Sequence, residues 1–285
     1  MVPAEQVSAA SSPGWIWDPT LYAGAARYYT TGRVAYPAGV ADALVAALDL
    51  DGTGRLLDVG CGPGSLTLLL APHFAEVIGV DADSDMLAEA ARLAEAQRVA
   101  NARWVQMRAE DLPADLPPAT VVSFAQSFHW MDRRRVAAAA RRLVGADGAL
   151  VHVGATTHQG VETDAPLPHP QPPRAEITRL VRRYLGPQQR AGQGVLTAGI
   201  PEDEDTVYRA AGFTGPERLE VPGFVVERTA DEIAASVYSL SGSTPHLFGD
   251  QLDGFDSDLR QLLVAASPDC RFSEQIGPIG LSIWR

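Results

Sequence analysis

The chain has 285 residues, 46% of them hydrophobic, and a formal net charge of −12. That is enough apolar material for a sizeable core, and the acidic balance weighs against nucleic acid, whose phosphates are neutralised by Lys and Arg. All 23 basic side chains are Arg, which excludes lysine Schiff-base chemistry and a phosphate-gripping P-loop lysine. No run approaches the ~18 apolar residues of a membrane span. Residues 1–14 have neither the basic nor the apolar part of a secretory leader, so the cytoplasm is the expected location. Cys61 and Cys270 make no zinc signature and no disulfide framework, and no metal-ligand spacing is present.

In chain order, residues 1–19 are expected as a disordered lead-in that includes Trp15 and Trp17. An aromatic segment follows, with Tyr22, Tyr28, Tyr29 and Tyr36 around Arg33. Residues 39–50 place Val40, Leu44, Val45 and Leu48 at helical spacing. Residues 56–59 read as a strand buried on both faces. The turn Gly60-Cys61-Gly62-Pro63-Gly64 leads into a helix over 65–71 that stops before Pro72. A strand over 77–80 ends at Asp81. Asp83 or Ser84 caps the next helix, whose Met86, Leu87, Ala90, Leu93 and Ala94 form one apolar stripe.

Strands are predicted over 102–107, 120–124 and 149–155, with an Arg-rich helix over 133–143 capped by Asp132. From 156 to 200 the pattern changes. Residues 167–173 are too proline-rich for a central strand or helix, while 176–185 read as a helix. This stretch is expected to be a cap inserted between strands. Beyond it come a helix over 205–211 and a strand over 218–227 interrupted at Pro222-Gly223. Helices over 231–240 and 258–266 follow, capped by Thr229 and by Asp256 or Ser257. The terminal strand covers 277–284. Strand and helix alternate, which predicts a doubly wound, mostly parallel α/β sheet. We expect one domain over 20–285, made of a core (20–155), the cap (156–200) and C-terminal strands and helices (201–285).

In such a sheet, ligands bind outside the carboxyl ends of the strands. Gly60, Gly62, Gly64 and Asp81 all fall there. Glycine allows positive φ and close approach of a ligand to the backbone. Asp81 follows Gly60 by about 20 residues, the spacing at which a carboxylate accepts from ribose hydroxyls. An adenosine-like group without a 2′-phosphate is therefore expected. The dinucleotide fingerprint would need its third glycine where Ser65 stands, which argues against a nicotinamide site.

The whole run, LLDVGCGPG through GVD, resembles the first motif of class I S-adenosylmethionine-dependent methyltransferases. The resemblance implies a Rossmann-like, seven-stranded fold with an N-terminal lid, S-adenosylmethionine as cofactor, and methyl transfer to a small molecule. It implies that Gly60, Cys61, Gly62 and Gly64 surround the methionyl part and that Asp81 holds the ribose. Asp58 and Ala82, beside these motifs, are counted with the cofactor-binding positions. Residues 29–37 are similar to the lid segment Y-x-x-x-R-P-x-Y-P of the small-molecule branch, with Val34 in place of its first proline. There Arg33 would pair with the cofactor's carboxylate and a Tyr29 face would meet the sulfonium; the alternative is an aromatic helix packed on the core.

A-E-D-L-P at 109–113 resembles the family's adenine-reading segment. It places Ala109 at the base, with Asp111 first and Glu110 second as partner of the exocyclic amine. Arg108 stands where many relatives carry an acid. Met86 is either an adenine contact or ordinary core. A-Q-S-F-H-W at 125–130 resembles the trans-aconitate methyltransferase-like group, and the D/N-P-P-Y motif of base-amine methyltransferases is not there. Gln126 would line the transfer site. His129 is the candidate catalytic base, or else a structural group. The expected partner is a small-molecule substrate, with neither nucleic acid nor membrane. A cofactor-binding protein with other work, a cyclase or a regulatory module, is the alternative, and a NAD-dependent dehydrogenase a third.

Overall fold

The computed structural model describes Asp18 and residues 20–187, 190–191, 194–195 and 203–285. Trp15, Trp17, nearly all of the expected lead-in and most of the chain between 188 and 202 lie outside the described residues.

The elements run α1 (Ala26–Gly32), α2 (Ala38–Leu48), β1 (Arg55–Val59), α3 (Ser65–Leu70), β2 (Glu76–Asp81), α4 (Ser84–Ala96), β3 (Ala102–Gln106) and β4 (Ala119–Ala125). Then come α5 (Arg133–Leu143), β5 (Val144–Gly154), α6 (Arg174–Leu185), and the two-residue strands β6 (Arg190–Ala191) and β7 (Gly194–Val195). The chain ends with α7 (Glu204–Ala210), β8 (Glu217–Val221), β9 (Phe224–Thr229), α8 (Ala230–Tyr238), α9 (Leu252–Ala266), β10 (Arg271–Ile276) and β11 (Ile279–Trp284).

Seven strands form the main sheet in the order β3-β2-β1-β4-β5-β11-β8. β1 pairs in parallel with both β2 and β4, while β11 runs antiparallel to β5 and to β8. The central strands are apolar on both sides because helices cover both faces. Val136 and Ala140 of α5 and Tyr208 of α7 pack on one face. Leu44 of α2 and Leu66 of α3 pack on the other. Strand order reverses between β1 and β4, the switch point at which a crevice opens in such sheets.

The C-terminal third differs from the sequence expectation. The interrupted strand over 218–227 is two strands in different sheets. β8 stays in the main sheet, and β9 pairs with β10 in a separate antiparallel ribbon. The chain leaves the main sheet at Pro222-Gly223. A β-carbon on Gly223 would stand 2.2 Å from the Ile276 carbonyl oxygen. α9 also begins earlier than expected, at Leu252, and neither Asp256 nor Ser257 caps it. Asp256 instead accepts from Tyr238 Oη at 2.9 Å and from Arg260 Nε at 2.7 Å. Thr229 does cap α8, in a reciprocal capping box with Glu232.

Residues on α6, α8, α9 and β10 share a separate core built on Ile177, Val237, Phe255, Leu259 and Phe272. The helical cap therefore draws on two stretches of chain, one before α7 and one between β8 and β11. An ion triad ties it to the rest. Glu274, 3% exposed, takes Arg228 Nη1 at 3.0 Å and Arg174 Nη2 at 2.9 Å. Arg228 also donates to the carbonyls of Gly32 in α1 and Glu232 in α8, each at 2.8 Å. α1 lies so close to α8 that a β-carbon on Gly32 would meet the Ala235 backbone at 2.4 Å.

Removing one partner of such a group leaves uncompensated buried charge. Glu274→Ala should lower unfolding stability by about 3–5 kcal/mol. Val264→Ala, at an exposed position, should stay within about 0.5 kcal/mol of the parent chain. Urea denaturation measures both.

Candidate functional site

The site begins where β1 ends. Val59 is fully buried, and the chain then turns over the end of β2, with the amides of Gly60 and Cys61 both donating to the Val80 carbonyl at 2.7 and 3.0 Å. Gly60 has φ 70° and Gly62 φ 54°, left-handed values that a β-carbon disfavours. The two glycines differ in what they face. A β-carbon on Gly60 would strike Ser127 Cβ at 2.5 Å, whereas one on Gly62 would meet nothing within 4 Å. Gly60 is there for packing. Gly62 presents bare backbone to open space.

Asp81 ends β2 beside that space. Its Oδ2 accepts from the Gly62 amide at 2.8 Å and its Oδ1 from the Asp83 amide at 2.9 Å. Burial outweighs these bonds and pushes its pKa up to about 6. Asp83 in turn caps α4, accepting from the amides of Asp85 and Met86. Glycine loop, carboxylate and helix cap are thus one hydrogen-bonded unit.

The resulting cleft holds about 740 Å³ of space counted out into the solvent at its open mouth. Of the positions singled out in the sequence, Tyr29, Gly60, Gly62, Asp81, Ala82, Met86, Ala109, Glu110 and Gln126 line it. Met86 is 2% exposed and packs against Ala25 and Ala26. It therefore belongs both to the core and to the cleft wall. Glu110 turns its carboxylate to the Asp132 amide at 2.9 Å and toward Arg108 Nη2 at 3.5 Å.

The other singled-out positions stand elsewhere. Asp58 is buried beneath the loop and accepts from Thr67 Oγ1 at 2.6 Å and Ser123 Oγ at 2.7 Å. It braces β1 against α3 and β4, and burial raises its pKa. Cys61 is buried, with its thiol pushed well up by desolvation. Gly64 makes room for Trp104, whose ring would lie 2.7 Å from an added β-carbon.

Arg33 is turned to the cap. It donates to Ser239 Oγ at 2.8 Å and to the Ser239 carbonyl at 3.0 Å, with its guanidinium 4.6 Å from the Tyr29 ring centre. Asp111 is exposed and outside the lining, because the short 3-10 turn Ala109–Asp111 turns Ala109 and Glu110 inward instead. His129 is also exposed and outside the lining, with its ring centre 4.8 Å from that of Trp130. Desolvation, with His152 and Arg133 nearby, lowers its pKa. In the turn Phe128–Trp130 it is Trp130 that faces the cleft.

Several lining residues were not among the candidate site residues: Tyr22, Met107, Arg108, Ser127, Trp130 and Met131. Tyr22 meets Trp130 edge-on, with ring centres 5.8 Å apart. A signal for two of them was present, since Ser127 and Trp130 belong to the same A-Q-S-F-H-W run as Gln126.

Comparison with known proteins agrees with this geometry. Residues 56–148 match the family model described as "Methyltransferase domain". Over 126 residues, 43% of each chain, the protein is 30% identical to the "Probable S-adenosylmethionine-dependent methyltransferase CRG1" of Saccharomyces cerevisiae. It is 34% identical over 119 residues to a "Trans-aconitate 2-methyltransferase" of Pseudomonas paraeruginosa, covering 41% of this chain and 38% of that one. The chain spans about two fifths of the length of these curated relatives.

Among solved structures, the YcgJ protein of Bacillus subtilis superposes with TM-score 0.50 and 18% identity, covering 87% of this chain and 98% of that one. A putative methyltransferase of Bacillus halodurans superposes over the same shares, with TM-score 0.51 and 18% identity. The fold is the Rossmann-like α/β fold of these neighbours, and the chain carries a methyltransferase domain, matched over residues 56–148.

The two glycines should separate in experiment. Gly60→Ala, which forces Ser127 and the loop apart, should lower unfolding stability by about 2–3 kcal/mol. Gly62→Ala, strained but unobstructed, should cost only about 1–2 kcal/mol. Chemical denaturation of the two variants distinguishes them.

Proposed function

We propose that the protein transfers the methyl group of S-adenosylmethionine to a small-molecule acceptor. The observation that carries this reading is the pairing of Gly62 with Asp81. Bare left-handed backbone opens on free space next to a part-buried carboxylate at the end of the neighbouring strand. That arrangement suits a nucleoside without a 2′-phosphate, because the carboxylate accepts from two ribose hydroxyls and would repel added negative charge. The relatives named for S-adenosylmethionine and trans-aconitate support the same reading.

When bound, the cofactor supplies an electrophilic methyl group open to in-line displacement. The chain's part is to bind, orient and exclude water. Asp81 would take the ribose edge, and the Gly60–Gly62 backbone the amino-acid portion. Met86, Ala109 and the Glu110 backbone would flank the base. The aromatic faces of Tyr22, Tyr29 and Trp130 would close the cleft, and aromatic faces attract a cation. Asp111 and Arg33, placed outside the cleft, are given no contact here. His129 also stands outside the lining, beside Trp130, and as the proposed base its neutral ring would accept a proton only from an acceptor that extends past Trp130 to reach it. The small-molecule acceptor is favoured over nucleic acid by the −12 charge. Among the described residues no helix is long and apolar enough to cross a membrane.

Asp81→Ala should abolish S-adenosylmethionine binding in calorimetry, and retained affinity would count against the assignment. The raised pKa adds a pH dependence. Asp81 is ionised above about 6 and protonated below it, and only the ionised form accepts from both ribose hydroxyls. Affinity should therefore be full at pH 7.5 and fall as the pH drops through about 6. Burial holds His152 near about 4 and His158 near about 3, so neither contributes to that transition. A flat affinity between pH 7.5 and 5.5 would contradict the role given to Asp81.

A further inference from the structure

This inference rests on the reading above and concerns the end of the cleft away from the base. The strand ends line up as β3, β2, β1, β4. With the ribose on Asp81 at β2 and the base toward the turn after β3, the sulfur end lies over β1 and β4. Gln126 immediately follows β4 and lines the cleft.

Gln126 has φ 55°, the one left-handed non-glycine among the described residues lining the cleft. Such backbone is held only where its surroundings enforce it. Here two bonds do so. Its amide donates to the Val153 carbonyl at 3.2 Å, and its Nε2 donates to Tyr36 Oη at 2.9 Å. Tyr36 comes from the segment ahead of α2, and burial pushes its phenol pKa up, so the hydroxyl stays neutral. With one Nε2 hydrogen engaged by Tyr36, the side-chain carbonyl oxygen would be the atom turned to the cleft. A carbonyl dipole with its negative end toward a sulfonium attracts both the cation and its polarised methyl C–H bonds. The same dipole finds no positive charge on a neutral thioether.

We propose that Tyr36 is a positioning residue that turns the Gln126 carbonyl toward the sulfonium, and that this pair distinguishes the charged cofactor from its demethylated product. The glycine loop and Asp81 grip what the two compounds share. The pair reads the one centre at which they differ, and it favours departure of the product once the charge is gone.

The test needs no acceptor. Binding of S-adenosylmethionine and of S-adenosylhomocysteine is measured by calorimetry for the parent chain, Tyr36→Phe, Gln126→Leu and the double variant. Tyr36→Phe keeps the ring and loses only the hydroxyl. Gln126→Leu should weaken S-adenosylmethionine about fivefold and leave S-adenosylhomocysteine within about twofold, the scale of one weak polar contact. Tyr36→Phe should weaken S-adenosylmethionine about threefold, and the double variant should be no worse than Gln126→Leu alone, because the hydroxyl acts through the amide. Equal shifts for both ligands, additive losses, or tighter S-adenosylmethionine binding by Gln126→Leu would each overturn the proposal, the last by showing the amide nitrogen turned to the cleft. A parent chain that binds neither compound would overturn the cofactor reading and this inference together. One that binds both, with a ratio the variants do not move, would overturn this inference alone.

Discussion

The hydrogen bond from the Gly62 amide to Asp81 Oδ2 joins the two halves of the site. It links the loop after β1 to the end of β2 and leaves the backbone in a conformation that side-chain-bearing residues avoid. Burial disfavours the charge on the carboxylate and raises its pKa, while hydrogen bonds from the surrounding amides favour the ionised form. A site built this way is costly to form and ready to use. With both oxygens held by amides, a ligand's hydroxyls would meet them with little reorganisation. Beneath the loop, Asp58 plays the complementary part. Both its oxygens are taken by hydroxyls of Thr67 and Ser123, which locks β1 to α3 and β4 and keeps the loop above it in place.

The second organising contact lies between α1 and the cap. Gly32 lets the two helices touch backbone to backbone, Arg33 reaches Ser239, and Arg228 reaches the Gly32 carbonyl. The same α1 places Tyr29 on the cleft. The wall over the cleft and the helices of the cap are therefore mechanically one piece. The triad of Arg174, Glu274 and Arg228 belongs to the same piece, with Glu274 and Arg228 buried and paired.

Much of the cofactor half was legible in the linear chain, and the reason is that its interactions are local. Gly60, Gly62, Asp81 and Met86 lie within one strand-turn-helix-strand-helix unit, and the hydrophobic periods that define those elements also set where their ends fall. Two misplacements have equally physical causes. Asp111 was the first candidate for a base-reading acid because the run around it matched a pattern, yet a single 3-10 turn decides which of three consecutive residues faces inward, and it turns Ala109 and Glu110 to the cleft. Arg33 looked free to reach a ligand carboxylate, but its partner Ser239 comes from a segment more than two hundred residues away, a pairing that no local pattern reveals. Tyr22 was given no place at the site because an aromatic side chain carries no directional mark in sequence, and core and cleft positions use the same residues.

By itself the sequence determined the alternation of buried strands and amphipathic helices, the glycine turn and the acid that follows it, and hence the Rossmann-like sheet and the crevice at its strand ends. These follow from short-range periodicity and from backbone preferences that each residue carries with it. Only the tertiary structure decided that the strand over 218–227 splits between two sheets at Pro222-Gly223, that the cap is assembled from two distant stretches, and that Tyr36 meets Gln126. Those outcomes depend on which long-range surfaces bury each other, and contact between residues far apart in the chain is a property of the packed molecule rather than of any segment within it.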